Sequence, residues 1–279
     1  MAKFDLHLHT NNSDGSASPE ELINEITGAG IDIFAVTDHD TTEGAIQTGK
    51  IVPAGKTFIM GVELTCKTEN VKCHILGYGY NTNDEGLHKL IEKGKVLRRQ
   101  KLETRIKYLK EVWNIDLTRE ELDWLYSRNS VVKTHFANIL VSRGLAEDNV
   151  SAMTKYLDGC KTGNTRFDGG EAITTLKNAG AKVVWAHPLG GEGEKHDTEE
   201  EFLPKLEIMI KAGIQGLECY YSRYSMKEIS FLRDCANKHN LYITGGSDWH
   251  GTNKTVPLGR LNCEDNFVDS SKINLPLIS

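Results

Sequence analysis

Short apolar segments that end in a histidine or a carboxylate recur along this chain, and they limit its possible folds more than any other feature. The first is Phe4-Asp5-Leu6-His7-Leu8-His9. Its apolar–polar alternation has the period of a strand. His7 and His9, two apart, therefore project to one side, and Asp14 follows in the polar stretch after them. Residues 32–37 lead into Asp38 and His39, 57–62 into Glu63, and 71–79 carry His74. Residues 182–186 lead into His187, 216–221 form a further apolar run, and 241–246 deliver Asp248 and His250. Helical segments separate these runs. The first opens at Ser18-Pro19-Glu20-Glu21, with a capping serine, a proline suited to the first turn and a capping-box glutamate. It stops at Gly30, a residue that tolerates the left-handed helix end. Strands and helices alternating in this way predict an α/β fold of seven strands. In such folds functional groups collect at the carboxyl ends of parallel strands.

The middle of the chain breaks the alternation. Residues 85–113 read as one long charged helix with apolar positions at Leu87, Leu90, Ile91, Leu102 and Leu109. Thr118-Arg119-Glu120-Glu121 starts another helix with a capping box, and further helices are expected over 134–142 and 149–157. The predicted organisation is a barrel from 1–97 and 166–279, with residues 98–165 inserted as a helical cap.

Nine strand-end residues then form one set: His7, His9, Asp14, His39, Glu63, His74, His187, Asp248 and His250. A ring of strands would bring them into one bowl. A single catalytic zinc takes about three protein ligands, so the number points to two or three divalent ions sharing a carboxylate. Mixed imidazole and carboxylate donors suit manganese, zinc or iron. The formal charge of −6 and the lack of a long basic run argue against stable binding of duplex nucleic acid. No apolar run approaches a membrane span and the N-terminus lacks a signal-peptide pattern. Six cysteines without a Cys-x-x-Cys fit reduced thiols and a cytoplasmic location.

The motifs Asp5-Leu6-His7-Leu8-His9-Thr10, Thr37-Asp38-His39-Asp40, Gly61-Val62-Glu63, His74-Ile75-Leu76-Gly77-Tyr78, Ala186-His187-Pro188 and Gly246-Ser247-Asp248-Trp249-His250 resemble those of the PHP family, the polymerase-and-histidinol-phosphatase group of metal-dependent phosphoesterases. The resemblance implies a distorted (β/α)7 barrel with a trinuclear site. It places His7, His9, Glu63 and Asp248 on one ion, Glu63, His74 and His187 on a second, and Asp14, His39 and His250 on the third. The insertion resembles the helical cap of the subgroup that dephosphorylates nucleoside 3′,5′-bisphosphates. Lys133-Thr134-His135-Phe136-Ala137 is similar to that cap's Arg-Pro-His-Ile-Ala, with lysine in place of arginine. Tyr220-Tyr221-Ser222-Arg223-Tyr224 and the loop Gly190–Lys195 depart from the subgroup's pattern.

The expected activity is hydrolysis of nucleotide phosphate monoesters, with attack by a metal-bridging hydroxide. Asp38 and His135 are the candidate catalytic groups outside the ligand set. Lys133, His135, Arg166 and Arg223 are the candidate contacts to a small phosphorylated substrate. Tyr220, Tyr221 and Trp249 either wall a nucleobase pocket or pack in the barrel. Other readings are a histidinol-phosphate or similar small-molecule phosphatase, an exonuclease of short oligonucleotides, and a non-catalytic metal-binding module.

Overall fold

The computed structural model describes residues 2–278. The elements run β1 (Phe4–Leu8), α1 (Pro19–Ala29), β2 (Ile33–Val36), α2 (Glu43–Gly49), β3 (Thr57–Thr68), β4 (Val71–Tyr78), α3 (Glu85–Trp113), α4 (Arg119–Tyr126), α5 (Lys133–Ser142) and α6 (Asn149–Tyr156). They continue β5 (Phe167–Asp168), α7 (Gly169–Asn178), β6 (Lys182–Trp185), α8 (Glu199–Ala212), β7 (Gly216–Tyr221), α9 (Met226–Lys238) and β8 (Tyr242–Gly246). The seven expected strands are present, in the order β1-β2-β3-β4-β6-β7-β8, and the two-residue β5 pairs with β3. The two ends of the sheet meet. The His9 N–H donates to Trp249 O at 3.0 Å and the Asp248 N–H to His7 O at 2.9 Å. A Cβ at Gly246 would lie 2.2 Å from that of His7, so the closure of β8 onto β1 requires glycine there. The result is a distorted, nearly closed seven-stranded barrel.

One expectation fails at the third and fourth strands. β4 is antiparallel to both β3 and β6, so not every strand runs the same way. β3 continues past Glu63 to Thr68, and the chain reverses at Glu69-Asn70 with Glu69 at φ 52°. Glu63 and His74 consequently lie within their strands, where the pleat directs both side chains to the mouth.

Helices clothe the barrel. Leu87, Leu90 and Ile91 on the first turns of α3 pack into the main barrel core. Its later residues Leu102 and Leu109 join Leu125, Phe136, Leu140 and Leu157 in a separate apolar cluster. One helix thus belongs to two cores, and we propose residues 98–165 as the cap unit built on the second. Among the described residues, no helix is long and apolar enough to cross a membrane.

Candidate metal centre

All nine residues of the ligand set converge at one end of the barrel. Glu63 is the hub. Its Oε2 lies 3.2 Å from His7 Nε2, 3.3 Å from His9 Nε2 and 2.9 Å from His39 Nδ1. Its Oε1 lies 2.9 Å from His74 Nδ1 and 3.2 Å from His187 Nε2. Asp248 Oδ1 is 3.5 Å from His7 Nε2 and 3.3 Å from His9 Nε2. Asp14 Oδ1 is 3.1 Å from His250 Nε2, and Asp14 Oδ2 is 3.9 Å from His39 Nε2. Three groups have ligand atoms close enough to share an ion: His9, Asp14, His39 and His250; His7, His9 and Glu63; His39, Glu63 and His74.

These atoms are near one another, yet most are not hydrogen-bonded. His7 Nε2, His9 Nε2, Asp14 Oδ1, His39 Nδ1, Glu63 Oε2, His74 Nδ1 and His250 Nε2 are buried without a hydrogen bond. Each such orphan costs about 1–3 kcal/mol, so seven in one bowl need a common partner. Metal cations fit that role by chemistry: the donors are imidazole nitrogens and carboxylate oxygens, with no thiolate among them.

Electrostatics divide the set: against burial, facing carboxylates raise His7, His9 and His187, while His74 and His250 fall. Burial alone would raise the Glu63 carboxyl, but facing His39, His7 and His74 hold it well below the usual carboxylate range. Burial pushes His74 and His250 down to about 4, leaving neutral rings with a lone pair to give. Backbone strain collects here too, with His187 at φ 28° and Asp248 at φ 58°. Non-glycine residues hold such angles only where the surroundings enforce them.

The other site candidates divide. Arg166 and Lys133 line a cavity of about 980 Å³ that opens beside His39 and His74. Lys133 Nζ also pairs with Asp158 Oδ1 at 2.5 Å. His135 is placed differently. It is buried, and its Nδ1 accepts from the Val132 N–H at 3.1 Å. Burial lowers it to about 4, so it is a neutral ring whose Nδ1 caps α5. Asp38 is likewise turned away. Its oxygens accept from the Thr10 N–H at 2.9 Å, Thr10 Oγ1 at 2.6 Å and Ser13 Oγ at 2.5 Å. Ser13 Oγ lies 3.3 Å from His9 Nδ1, so Ser13 links Asp38 to His9. Arg223 pairs with Glu192 and reaches Thr255 Oγ1 at 2.6 Å, which pins the Gly190–Lys195 loop in place of a substrate. Tyr220, Tyr221 and Trp249 are all buried in packing and offer no base platform.

Three cations in the cavity went unread in the sequence. Arg98, Lys101 and Arg105 all line it. They fall at i, i+3 and i+7 of α3, one helical face, and all three are buried. Arg98 Nε bonds Asp40 Oδ2 at 2.6 Å, but Arg105 Nε and Nη1 are buried without a partner. Burial, with Arg98 beside it, lowers Lys101 to about 6. The wall therefore carries buried basic groups with two unspent guanidinium donors, those of Arg105. The sequence signal was there, as three basic residues on a helix's inward face, but solvent-facing cations look the same without the packing.

Comparison with known proteins agrees with this geometry. A family model described as PHP domain matches residues 5–164. A 3′,5′-nucleoside bisphosphate phosphatase of Chromobacterium violaceum is 28% identical over 90% of this chain and 88% of its own. The 5′-3′ exoribonuclease Rnm of Salmonella typhimurium is 30% identical over 92% of this chain and 88% of its own. A solved structure from Bifidobacterium adolescentis, assigned as a metal-dependent phosphoesterase, superposes with a TM-score of 0.79 at 25% identity, covering 97% of this chain and 98% of that one.

Proposed function

The chain belongs to the PHP domain family of metal-dependent phosphoesterases, and from that premise we propose that it removes phosphate from a small nucleotide carrying a second phosphate, of the nucleoside 3′,5′-bisphosphate kind. The observation that carries this reading is the basic cavity beside the centre, with the unpartnered Arg105 donors in its wall.

His7, His9, Asp14, His39, Glu63, His74, His187, Asp248 and His250 would hold the ions. When bound, divalent ions supply neutralisation of phosphoryl charge and a water acidic enough to attack near neutral pH. The chain's own residues do the rest. His39 and His74 border both the centre and the cavity, so a phosphoryl group at that edge leaves the remainder of its molecule among the cations. Arg105, Lys101 and Arg166 then take the second phosphate, and the guanidinium forks match its oxygens. Glu194 lines the same cavity, and its Oε2 accepts from the Gly191 N–H at 3.1 Å.

The same wall weighs against the alternatives. Histidinol phosphate carries a cationic amine, which the guanidinium groups of Arg105 and Arg166 repel. A cavity of about 980 Å³ is the size of a small-molecule cleft, which suits a nucleotide better than a running chain.

Lys101 provides the test. With its ammonium lowered to about 6, it is mostly neutral in the empty site at pH 7.5, and a bound phosphate would draw a proton onto it. Affinity for the second phosphate therefore falls as pH rises above about 6. Between pH 6 and 8, KM for a nucleoside bisphosphate should rise more in the wild type than in Lys101→Met, with the two profiles converging at high pH. KM for a monophosphate lacking the second group should not distinguish them. Parallel profiles on the bisphosphate would remove Lys101 from the phosphate site.

A further inference from the structure

Glu218 was not among the candidate residues, yet it touches two of the imidazoles that are. It sits on β7, fully buried, with no lysine or arginine partner among the ion pairs of the described residues. Its Oε1 is 2.9 Å from His7 Nδ1. Its Oε2 accepts from the His187 backbone N–H at 2.7 Å. We propose that Glu218 is a positioning residue that sets the tautomer of His7 and holds the strained backbone of His187, so that both rings present a bare nitrogen to the centre.

A backbone N–H can only donate, so Oε2 must accept. Oε1 is then free to accept from Nδ1–H of His7, so that when the ring is neutral its one proton resides on Nδ1. His7 Nε2, which points at Glu63 and Asp248, keeps its lone pair. Such a carboxylate behind an imidazole fixes the ring and makes it a stronger donor. The second bond acts on backbone. His187 sits at φ 28°, an angle that costs a non-glycine residue stability, and its N–H is the group Glu218 grips. One carboxylate thereby orients ligands from β1 and from the end of β6, which are far apart in sequence.

Glutamine at this position would reverse the logic while keeping the shape. Its single carbonyl oxygen must go to the His187 N–H, because that donor cannot turn. Its NH2 then faces His7 Nδ1, which has to accept, and the ring proton moves to Nε2. There it blocks the lone pair. Aspartate keeps two acceptor oxygens but shortens the reach.

The inference rests on the reading that His7 holds an ion, and the experiment separates the two. Zn²⁺ affinity is measured by competition with a chromophoric chelator for wild type, Glu218→Gln and Glu218→Asp. The ion bound through His7 should be held about ten- to a hundredfold more weakly in Glu218→Gln, and Glu218→Asp should recover part of the loss. A residue that merely fills space predicts the opposite order, because glutamine is the isostere. Equal affinity in all three, or Glu218→Asp the weaker, overturns the proposal. A wild type that takes up no Zn²⁺ overturns the metal-centre reading as well. If either variant fails to fold, nitrogen-15 spectra of the Zn²⁺-loaded wild type decide alone. A proton on His7 Nδ1 with the metal on Nε2 is the expected pattern, and the reverse contradicts it.

Discussion

Glu63→Gln should abolish phosphate release, with kcat/KM falling by at least about a thousandfold. Glu63 is the carboxylate that lies within ion-pair distance of five site imidazoles, three through Oε2 and two through Oε1. Glutamine preserves volume but removes the charge and replaces one acceptor oxygen by a donor. The ions that Glu63 would bridge lose their shared ligand, and His7, His9, His39, His74 and His187 are left without a common anion. Metal ions contribute several kcal/mol of charge stabilisation in such reactions, and about 4 kcal/mol corresponds to roughly a thousandfold in rate. Elemental analysis should register fewer ions per chain, with the circular dichroism spectrum unchanged. A variant that keeps its metal and works within about tenfold of wild type would show that Glu63 is not the hub.

The second large effect is on stability. Arg98 and Asp40 form a buried ion pair at 2.6 Å, with side chains 7% and 3% exposed. Arg98 also donates to Thr65 Oγ1 at 2.8 Å and to Val131 O at 3.4 Å, joining the cap helix to the barrel and to the segment before α5. Asp40 holds the Thr65 N–H at 2.7 Å and sits at φ 55° beside His39. Arg98→Met leaves the Asp40 charge stranded, a loss of about 3–5 kcal/mol for a broken buried pair. Midpoint shifts of about 2–4 °C per kcal/mol for chains of this order of size give a drop of about 6–20 °C in thermal unfolding. Adding Asp40→Asn should recover part of it, since the second change removes the orphaned charge. Burial would raise the Asp40 carboxyl, but Arg98 brings it below its ordinary value. The pair's contribution is therefore complete at neutral pH and lost only as pH falls through that lowered value. An Arg98→Met protein melting with the wild type would mean that the pair does not anchor the cap.

How much of this was legible depended on whether the signal was carried by residue type or by packing. The nine donors could be read because histidine and carboxylate at strand ends are chemically distinctive, and period two puts His7 and His9 on one side. The hairpin between β3 and β4 was not, because Leu64–Thr68 continues a strand without a break and turns on Glu69-Asn70 instead of a glycine pair. The helix α4 was visible from its capping box at Thr118 and Glu121. The cationic face of α3 was not, because Arg98, Lys101 and Arg105 have the same letters as surface residues and only tertiary burial separates them. His135 was drawn in by its place in a motif, whereas the structure gives its Nδ1 to the Val132 N–H. Glu218 was passed over because a lone glutamate inside an apolar strand has no partner in sequence. Its two contacts are with residues 7 and 187.

The most direct test of the account is phosphate release by the Mn²⁺-loaded protein from adenosine 3′,5′-bisphosphate, with AMP and histidinol phosphate measured in parallel and each repeated after prolonged chelation. The account predicts rapid release from the bisphosphate, much slower release from the other two, and loss of all three on chelation with recovery on adding Mn²⁺. Turnover that survives chelation, or histidinol phosphate consumed while the bisphosphate is left intact, would contradict it.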